Sequence, residues 1–248
     1  VAGIDMKASL RLHLDRLDPR SAPVDLPAVR ARALYVVDGS LALRAGDATG
    51  ATLGPNSAIS LAGPGAIGGG SSAVTVLRCE LTEEGGEVVG SGAAANTVNT
   101  AGSTESAESR LLLAASLTLN PAERWILRCD RVDFPPGGQA LLHTHQGGGI
   151  RCLLTGSIRI DTEGTSHRYG PLEAWFEAGP DSVFAQADIK DATAFARVMI
   201  LPARLIGGKS SIQYLNAEDM TRPKSQRYQV FIDEEVRNRV ITCVPAPR

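Results

Sequence analysis

Short runs rich in β-branched and other apolar residues recur along the whole chain, each bounded by glycine, proline or aspartate. Such runs predict β-strands. The clearest are ALYVVDGSLAL (33–43), AVTVLRCEL (73–81), RWILRCDRVDF (124–134), IRCLLTGSIRI (150–160) and AFARVMIL (194–201). Helical periodicity is scarce, with candidates only near 216–220 and in the tail from Asp233. Many short strands separated by turns are typical of sandwiches and barrels, so we expect an all-β fold.

The two halves of the chain share turn landmarks in the same order. Placing Gly39 on Gly156 brings two further pairs of segments together with a single-residue change of spacing. These pairs are Gly-Pro at 54–55 and 170–171, and Ala-Gly-Pro at 62–64 and 178–180. Self-similarity at a fixed offset indicates a duplicated structural unit. We therefore expect two related β-barrels that superpose Gly39 on Gly156 and Gly63 on Gly179.

The repeat also suggests how the chain divides into domains. Residues 1–84 are interpreted as the first barrel and residues 110–205 as the second. Between them, residues 85–109 are small, polar and aperiodic, and such a segment cannot bury enough apolar surface to order itself. We interpret it as a flexible linker or loop. The extension at 206–248 either returns to close a barrel or crosses to a partner subunit.

Composition excludes several classes of function. The formal net charge of -2 over 248 residues leaves no basic stripe for a nucleic acid or an anionic membrane surface. No run of about 18 apolar residues predicts a membrane span. The four cysteines form no C-x-x-C pair, which favours buried thiols in a reducing compartment. We expect a soluble, cytoplasmic protein.

The segment GGQALLHTHQGGGIRCLLTG contains half of the four histidines of the chain. It resembles the first motif of the cupin superfamily, in which a glycine, an H-x-H pair, a glutamate and a second glycine follow at set spacings. Gly137, His143, His145 and Gly156 match this pattern, whereas the place of the glutamate is held by Gly149 or Ile150.

The segment GPLEAWFEAGPDSVFAQ resembles the second cupin motif, with Gly170 and Gly179 as its glycines. Ser182 stands where that motif has a histidine, and Gln186 where it has an asparagine. In the first half, the repeat places Leu26 and Ala28 at the H-x-H positions. The resemblance therefore implies an all-β bicupin, meaning two cupin barrels (double-stranded β-helix or jelly roll) in tandem. The first barrel would have no metal ligands and the second a degenerate metal motif.

His143 and His145 are two residues apart on a predicted strand, so both imidazoles can face one point inside a barrel. Catalytic metal centres generally use three or more protein ligands. The candidates to complete the set are Gln146, Glu173, Glu177 and Asp181. Two hypotheses stay open: His143 and His145 hold one divalent transition metal (Fe, Mn, Ni or Zn), or they hydrogen-bond a ligand, water or each other without metal. His13 and His167 lie outside any ligand spacing and are interpreted as surface residues.

Strand alternation from His145 through Gly149 places Arg151 toward the cavity, unless a bulge in the triple glycine reverses it. A buried arginine needs a partner. Arg151 would therefore clamp a substrate carboxylate or form a salt bridge to a pocket acid. Ser182, Gln186 and Gln146 are the candidate neutral ligand-binding residues. We expect His143, His145, Arg151 and Gln186 to converge on one cavity.

Three functional classes follow from these residues. The first is a protein that binds a small, anionic molecule in the second barrel, and the second is a metal-dependent dioxygenase, isomerase or decarboxylase that uses His143 and His145 as ligands. A storage role ranks last, because nothing in the composition supports it. No catalytic residue is assigned. The first barrel is expected to be filled by apolar side chains, to contain no polar pocket, and to serve in packing and homodimer formation.

Overall fold

A computed structural model describes residues 5–46, 50–83 and 107–236. The chain divides into two compact units. We call Arg11–Leu111 with Val236–Arg248 the N-terminal unit, and Val1–Leu10 with Leu112–Glu235 the C-terminal unit. Strands make up most of the described residues, and the all-β expectation is confirmed. No helix in the described part is long and apolar enough to cross a membrane.

The C-terminal unit contains a barrel of two five-stranded antiparallel sheets. Its strands are β8 (Trp125–Phe134), β9 (Gln139–His145), β10 (Gly149–Thr155), β11 (Ile158–Thr162), β12 (Thr165–Tyr169), β13 (Ala174–Glu177), β14 (Val183–Ala187), β15 (Thr193–Pro202), β16 (Ile212–Tyr214) and β17 (Arg227–Glu235). One sheet has the order β13-β10-β15-β8-β17 and the other β12-β11-β14-β9-β16. Side chains from both sheets form one apolar core that includes Leu153, Ile160, Trp175, Val183 and Phe195.

The other sheet has seven strands: β1 (Met6–Leu17), β2 (Val24–Leu26), β3 (Ala31–Arg44), β4 (Thr52–Leu53), β5 (Ser57–Ser60), β6 (Gly65–Glu83) and β7 (Ala107–Leu119). Its order is β4-β3-β6-β1-β7, with β2 beside β6 and β5 beside β3. β3 and β6 are long strands, and each covers the length of two consecutive strands of the C-terminal barrel. Residues 33–36 of β3 pair with β5, as β10 pairs with β13, whereas residues 41–42 pair with β4.

The repeat is visible in backbone details of the two units. Gly39 and Gly156 both have a positive φ, at 84° and 76°. A Cβ on Gly39 would lie 1.8 Å from the Ala73 carbonyl oxygen, and one on Gly156 would lie 2.7 Å from that of Ala192. Both positions thus need glycine for the same two reasons. The residues after the two Gly-Pro pairs, Asn56 and Leu172, also share a positive φ, at 55° and 63°.

The third landmark of the repeat is less alike in its backbone. Gly179 has a φ of 115°, and a Cβ there would lie 2.9 Å from backbone atoms of Gly147. A Cβ on Gly63 would meet nothing within 4 Å. The Ala-Gly-Pro match therefore marks equivalent turns in the sequence without an equivalent steric requirement for glycine.

The extension after residue 205 returns to the C-terminal barrel. A 3₁₀ turn at Ala203–Leu205 leads to β16, which pairs with β9, and β17 pairs with β8 along most of its length. The expected helix near 216–220 is present as α1 (Ala217–Thr221). The helix predicted from Asp233 is wrong for residues 233–235, which belong to β17 and are paired with β8.

The predicted domain boundaries remain a prediction. Most of the proposed 85–109 linker lies outside the described residues, and its last three residues form the start of β7. Cys79, Cys129 and Cys152 are buried thiols, as the cysteine spacing indicated, while Cys243 lies outside the described residues.

The interior of the N-terminal unit differs from its expected apolar filling. An apolar cluster is present and includes Leu26, Leu34, Val36 and Val76. Next to it lies a network of four buried charged side chains, which are Asp15, Arg32, Arg78 and Glu80. The prediction of an entirely apolar interior is therefore wrong, because charges that pair with one another can be buried without being left unsatisfied.

Two arginines donate the hydrogen bonds that satisfy the carboxylates of this network. Arg78 donates from Nε to Asp15 Oδ2 at 2.7 Å and from Nη2 to Asp15 Oδ1 at 3.1 Å. Arg32 donates from Nε to Glu80 Oε1 at 2.7 Å. Its other nitrogens donate to the carbonyl oxygens of Leu61 and Gly63, at 2.8 and 3.2 Å, and of Pro27, at 2.5 Å. The Arg32 guanidinium thus lies beside Leu26 and Ala28, the H-x-H positions of this half.

Candidate functional site

A small cavity lies between the two sheets of the C-terminal barrel, with a volume of about 30 Å³. One part of its wall is apolar and the other is polar. The apolar wall includes Val132, Phe134, Ile160 and Phe195, and the polar side includes His143, His145, Arg151, Glu177 and Arg197. Space of this size holds about two water molecules, so only a very small ligand or an ion fits without movement of the wall.

Strand β9 places both histidines inside the barrel. Ala140 and His143 both line the cavity although they are three residues apart, because the pairing of β9 with β14 shifts between them. From His143, the alternation of the strand carries His145 to the same face. Both residues are buried, with exposed fractions of 4% and 5%. Their Nε2 atoms lie 3.1 Å apart, and the two rings meet edge to face.

The other ring nitrogens hold the two imidazoles in place. His143 Nδ1 lies 2.7 Å from the Leu141 carbonyl oxygen, which can only accept a hydrogen bond. Nδ1 therefore carries the proton, and Nε2 of His143 presents its lone pair to the cavity. His145 Nδ1 lies 3.2 Å from Ser211 Oγ, a hydroxyl that can donate or accept. Ser211 can therefore support either tautomer of His145.

Both histidines are neutral at ordinary pH. Burial, followed by the charge of Arg151, lowers the pKa of His145 to about 3, against the opposing effect of Glu177. Burial also lowers the pKa of His143. A neutral imidazole is the form that binds a metal or accepts a hydrogen bond.

Arg151 faces the cavity, as strand alternation predicted. Residues Gly149 to Arg151 of β10 pair in unbroken register with Met199 to Arg197 of β15, so no bulge reverses the face. The side chain is 1% exposed. Its Nη1 donates to the Gly149 carbonyl oxygen at 2.6 Å, and its Nη2 lies 2.6 Å from Glu177 Oε2.

Nη2 of Arg151 nevertheless lacks a well-aligned hydrogen bond within the described residues. The contact with Glu177 is an ion pair by distance, but its angles are poor. Burial lowers the pKa of Arg151 to about 10 despite the neighbouring Glu177 carboxylate, so the guanidinium stays charged. Its capacity to donate is only partly used.

Glu177 joins the arginine to the histidines. Its Oε1 accepts a hydrogen bond from Trp175 Nε1 at 2.9 Å, and its Oε2 lies 3.1 Å from His145 Nε2. Burial alone would raise the pKa of Glu177, but Arg151 and the contact with His145 reverse this and lower it. The sequence indicated Glu177 only as one of four possible replacement ligands. The stronger signal was the alternation in AWFE, which places Glu177 on the same face as the core residue Trp175.

Sequence reasoning missed a second buried pair at the cavity. Arg197 donates to both carboxylate oxygens of Asp130, from Nε at 2.9 Å and from Nη2 at 2.7 Å. Its guanidinium lies 5.5 Å from the centre of the Tyr228 ring. Arg197 is the one charge in the otherwise apolar strand β15, and this was the available signal, because a charge in a buried strand needs a partner.

Three predicted ligand-binding residues lie away from the cavity. Val183, Ala185 and Ala187 of β14 are buried, so alternation turns Gln186 outward, where its Nε2 donates to the Gly137 carbonyl oxygen. The expectation that Gln186 lines the cavity is wrong, because its place in the motif did not match its strand parity. Ser182 bonds Glu163, and Gln146 accepts from Arg204.

Two other candidate acids and the remaining histidines can also be placed. Glu173 accepts a hydrogen bond from the Gly170 amide within its own turn, and Asp181 is exposed. His167 is exposed as expected. His13 is half-buried beside the charged network of the N-terminal unit, so its assignment to the surface is only partly right.

The described residues contain no cluster of three or more histidine, cysteine, aspartate and glutamate side chains arranged to hold a metal. His143 and His145 are the nearest approach to one. Their 3.1 Å spacing is typical of two adjacent donors bound to one ion at about 2.0–2.2 Å. Glu177 Oε2 is at the same distance from His145 but is engaged by Arg151. Two donors thus fit a metal, and the third would have to change partners.

No protein-family model matches the sequence, and no curated protein matches it at a significant level. Solved structures do match. AerE from Microcystis aeruginosa superposes with a TM-score of 0.50 at 10% identity, over 77% of this chain and 88% of AerE. A mutant of the Bacillus subtilis oxalate decarboxylase OxdC gives a TM-score of 0.52 at 12% identity, over 86% of this chain and 73% of OxdC.

A cupin 2 conserved barrel domain protein from Leptotrichia buccalis gives a TM-score of 0.45 at 10% identity, over 79% of this chain and 88% of that protein. The superpositions on AerE and OxdC, at 10% and 12% identity, establish a fold and leave function to the site itself. Strand topology, the repeated glycine turn and the paired histidines agree with the resemblance seen in the sequence. The chain therefore has the cupin fold, with two barrels in tandem.

Proposed function

We propose that the C-terminal barrel binds a very small anionic molecule in the cavity beside Arg151. The observation that supports this best is the incomplete bonding of the Arg151 guanidinium. A buried arginine normally uses most of its donors, whereas Nη2 here has an ion-pair contact but no aligned hydrogen bond. A planar anion with two oxygens would supply the missing acceptors.

The second candidate function is metal-dependent catalysis, and the orientation of the histidines favours it. His143 Nε2 carries a free lone pair and lies 3.1 Å from His145 Nε2, and both side chains are buried. His143, His145 and, after it leaves Arg151, Glu177 would hold a divalent transition metal. Two imidazoles and one carboxylate are a donor set that leaves coordination positions open for substrate. Such a metal would supply Lewis-acid or redox chemistry.

Metal content and ligand binding test these candidates together. The full chain is stripped with a chelator and titrated with Co²⁺, with the d–d absorption spectrum as the readout, and in parallel with formate by calorimetry. His143→Ala should abolish the Co²⁺ spectrum, whereas His167→Ala, which changes an exposed histidine, should leave it intact. Absence of Co²⁺ binding by the unmodified chain contradicts the metal candidate. Absence of formate binding both with and without Co²⁺ contradicts the anion site.

A further inference from the structure

We infer that a second copy of this chain docks on the free edge of strand β17 and pairs with it antiparallel, so that the sheets of the two copies join. β17 (Arg227–Glu235) is the last strand of the sheet β13-β10-β15-β8-β17. Within the described residues, no strand pairs with its outer edge. An edge strand offers a row of backbone donors and acceptors to another strand. The contact lies in the C-terminal barrel, whereas the sequence suggested the first barrel for homodimer formation.

β17 differs from the other edge strands of the C-terminal barrel in its length and in its exposed side chains. The other three, β12, β13 and β16, have five, four and three residues, whereas β17 has nine. Short edge strands give another chain little to pair with. Tyr228 and Val230 are 44% and 43% exposed, and among the described residues of this unit they are the only large apolar side chains of a strand exposed to that extent. Neighbouring exposed apolar side chains on a free edge mark an interaction site.

The sequence of β17 is self-complementary about Gln229. In an antiparallel pair centred on that residue, Tyr228 of each copy stands opposite Val230 of the other, and Arg227 opposite Phe231. Residues directly opposite each other lie on the same face of a sheet, and an aromatic residue opposite a β-branched one is a stabilising pair. The exposed apolar side chains of the two copies therefore cover one another. Residues 227–230 pair with β8 in unbroken register, and the bulge that follows them ends the regular ladder.

The distribution of charge also favours an antiparallel second copy. Residues at and before the start of β17 are basic, and its last residues are acidic. The basic residues are Arg222, Lys224 and Arg227, and the acidic residues are Asp233, Glu234 and Glu235. Antiparallel pairing brings the acidic end of each copy beside the basic end of the other, whereas parallel pairing would bring like charges together. Asp233 and Glu235 also contact arginines of their own chain, while Arg227 and Glu234 are exposed.

The second copy contributes a residue to the cavity wall. Tyr228 forms part of that wall, and the Arg197 guanidinium lies 5.5 Å from the centre of its ring. The Tyr228 hydroxyl accepts a hydrogen bond from Gln226 Nε2 at 3.0 Å, yet the residue as a whole is exposed. In the proposed pair, Val230 of the partner subunit covers the exposed part of Tyr228. The wall on the side of β17 is thus complete only in the dimer.

Sedimentation velocity of the full chain tests this interface, and substitutions at the axis locate it. One strand pair is a small contact, so we expect a weak dimer that dissociates on dilution. Gln229→Lys and Gln229→Glu each place two like charges opposite each other, and each should raise the dissociation constant about ten-fold or more. An equimolar mixture of the two variants should restore the dimer, because each introduced lysine then faces a glutamate. Gln213→Lys changes an exposed glutamine of the edge strand β16 and, as the matched control, should dimerise like the unmodified chain.

The mixture separates a loss of pairing from a loss of folding, because one unfolded variant cannot rescue another. An unmodified chain that stays monomeric at the highest concentration reached would overturn the proposal, and residues 237–248 of the same chain lying on the edge would give that result. A dimer that both Gln229 variants leave unchanged would also overturn it, since a different surface would then hold the two copies. Loss of the dimer in both variants without rescue in the mixture would overturn the register about Gln229.

Discussion

The two barrel interiors carry the same buried ion pair at equivalent positions but differ in the residues around it. In the N-terminal unit, Val36 precedes Gly39 by three residues and pairs with Val76. Arg78 lies two residues after Val76 on β6 and is bound to Asp15. In the C-terminal barrel, Leu153 precedes Gly156 by three residues and pairs with Phe195. Arg197 lies two residues after Phe195 on β15 and is bound to Asp130. Both pairs are bidentate. A bidentate arginine-aspartate pair is thus a common element of the repeat.

The two interiors differ opposite these arginines, where Leu34 pairs with Arg78 and Arg151 with Arg197, and they differ again one step along the same strands. In the N-terminal unit this step is Arg32 opposite Glu80, whereas in the C-terminal barrel it is Gly149 opposite Met199. Arg32 directs its guanidinium into the space beside Leu26 and is saturated by Glu80 and three carbonyl oxygens. Gly149 has no side chain, but a Cβ there would lie 2.5 Å from the Val198 carbonyl oxygen and 2.6 Å from Met199 Cγ, so that position is already filled. The comparison teaches that the N-terminal interior holds an arginine whose hydrogen bonds are satisfied, whereas the C-terminal interior keeps a cavity beside Arg151, which is only partly satisfied.

The shared ion pairs should produce the largest effects. Asp15→Asn and Asp130→Asn each leave a buried arginine without its counter-charge, and each should lower the free energy of unfolding by about 3–5 kcal/mol. Denaturant titration of the full chain measures this. Asp161→Asn, which breaks the exposed contact with Arg159, is the matched control and should cost no more than about 1 kcal/mol. A large cost for one aspartate only would refute the structural equivalence of the pairs.

The arginines found in only one of the two barrels should both contribute to stability, for different reasons. Arg32→Met removes the donor to three carbonyl oxygens, while Glu80 keeps its ion pair with Arg78, and the free energy of unfolding should fall by about 3 kcal/mol. Arg151→Met leaves the buried Glu177 carboxylate without its counter-charge and should cost about 3–5 kcal/mol. The same denaturant titration compares the two variants. A cost below about 1 kcal/mol for Arg151→Met would contradict the charge pairing of Arg151 with Glu177.

The repeated glycines sharpen the comparison at the backbone. Gly39→Ala and Gly156→Ala both force a Cβ into a positive-φ position, and each should cost roughly 1–3 kcal/mol. Gly39→Ala should cost more than Gly156→Ala. A Cβ on Gly39 would lie 1.8 Å from a carbonyl oxygen, whereas a Cβ on Gly156 would lie 2.6 Å from its nearest neighbour, Thr193 Oγ1. Thermal unfolding of the two variants gives the order. A reversed order would indicate that the turn at Gly156 is the more rigid one.

The smallest effect concerns His13 in the N-terminal unit. Burial, and next the charge of Arg78, lowers the pKa of His13 to about 4, with Arg11 acting in the same direction and Glu80 and Asp15 opposing. The unfolded chain then takes up a proton near pH 6.5 while the folded chain does not, so stability is lost as the pH falls from about 6.5 to about 4. His13→Gln should have a shallower loss over this interval. Identical pH profiles for the two proteins would contradict a buried, neutral His13.

The sequence predicted most of the fold and part of the site, for physical reasons that differ from residue to residue. Strand alternation is local, so it placed His143, His145 and Arg151 correctly. It would also have turned Gln186 outward, had parity been preferred to the position of Gln186 in the motif. The pairs Arg197–Asp130 and Arg32–Glu80 join residues on different strands, and nothing in either local sequence identifies the partner. Arg151 Nη2 lacks an aligned hydrogen bond because of the angles of its contact with Glu177. Such angles cannot be predicted from a pattern of residues.

The late strands β16 and β17 have a consequence for the order in which this protein is made. Ile212 and Tyr228 complete the cavity wall. Arg128 fixes the chain before Ile212, through the carbonyl oxygens of Leu205 and Lys209, and after Tyr228, through the carboxylate of Asp233. During synthesis from the N-terminus, His143, Arg151 and Glu177 leave the ribosome long before these residues. The polar side of the cavity is therefore solvated in the nascent chain, and it becomes enclosed only when β17 has emerged and paired with β8.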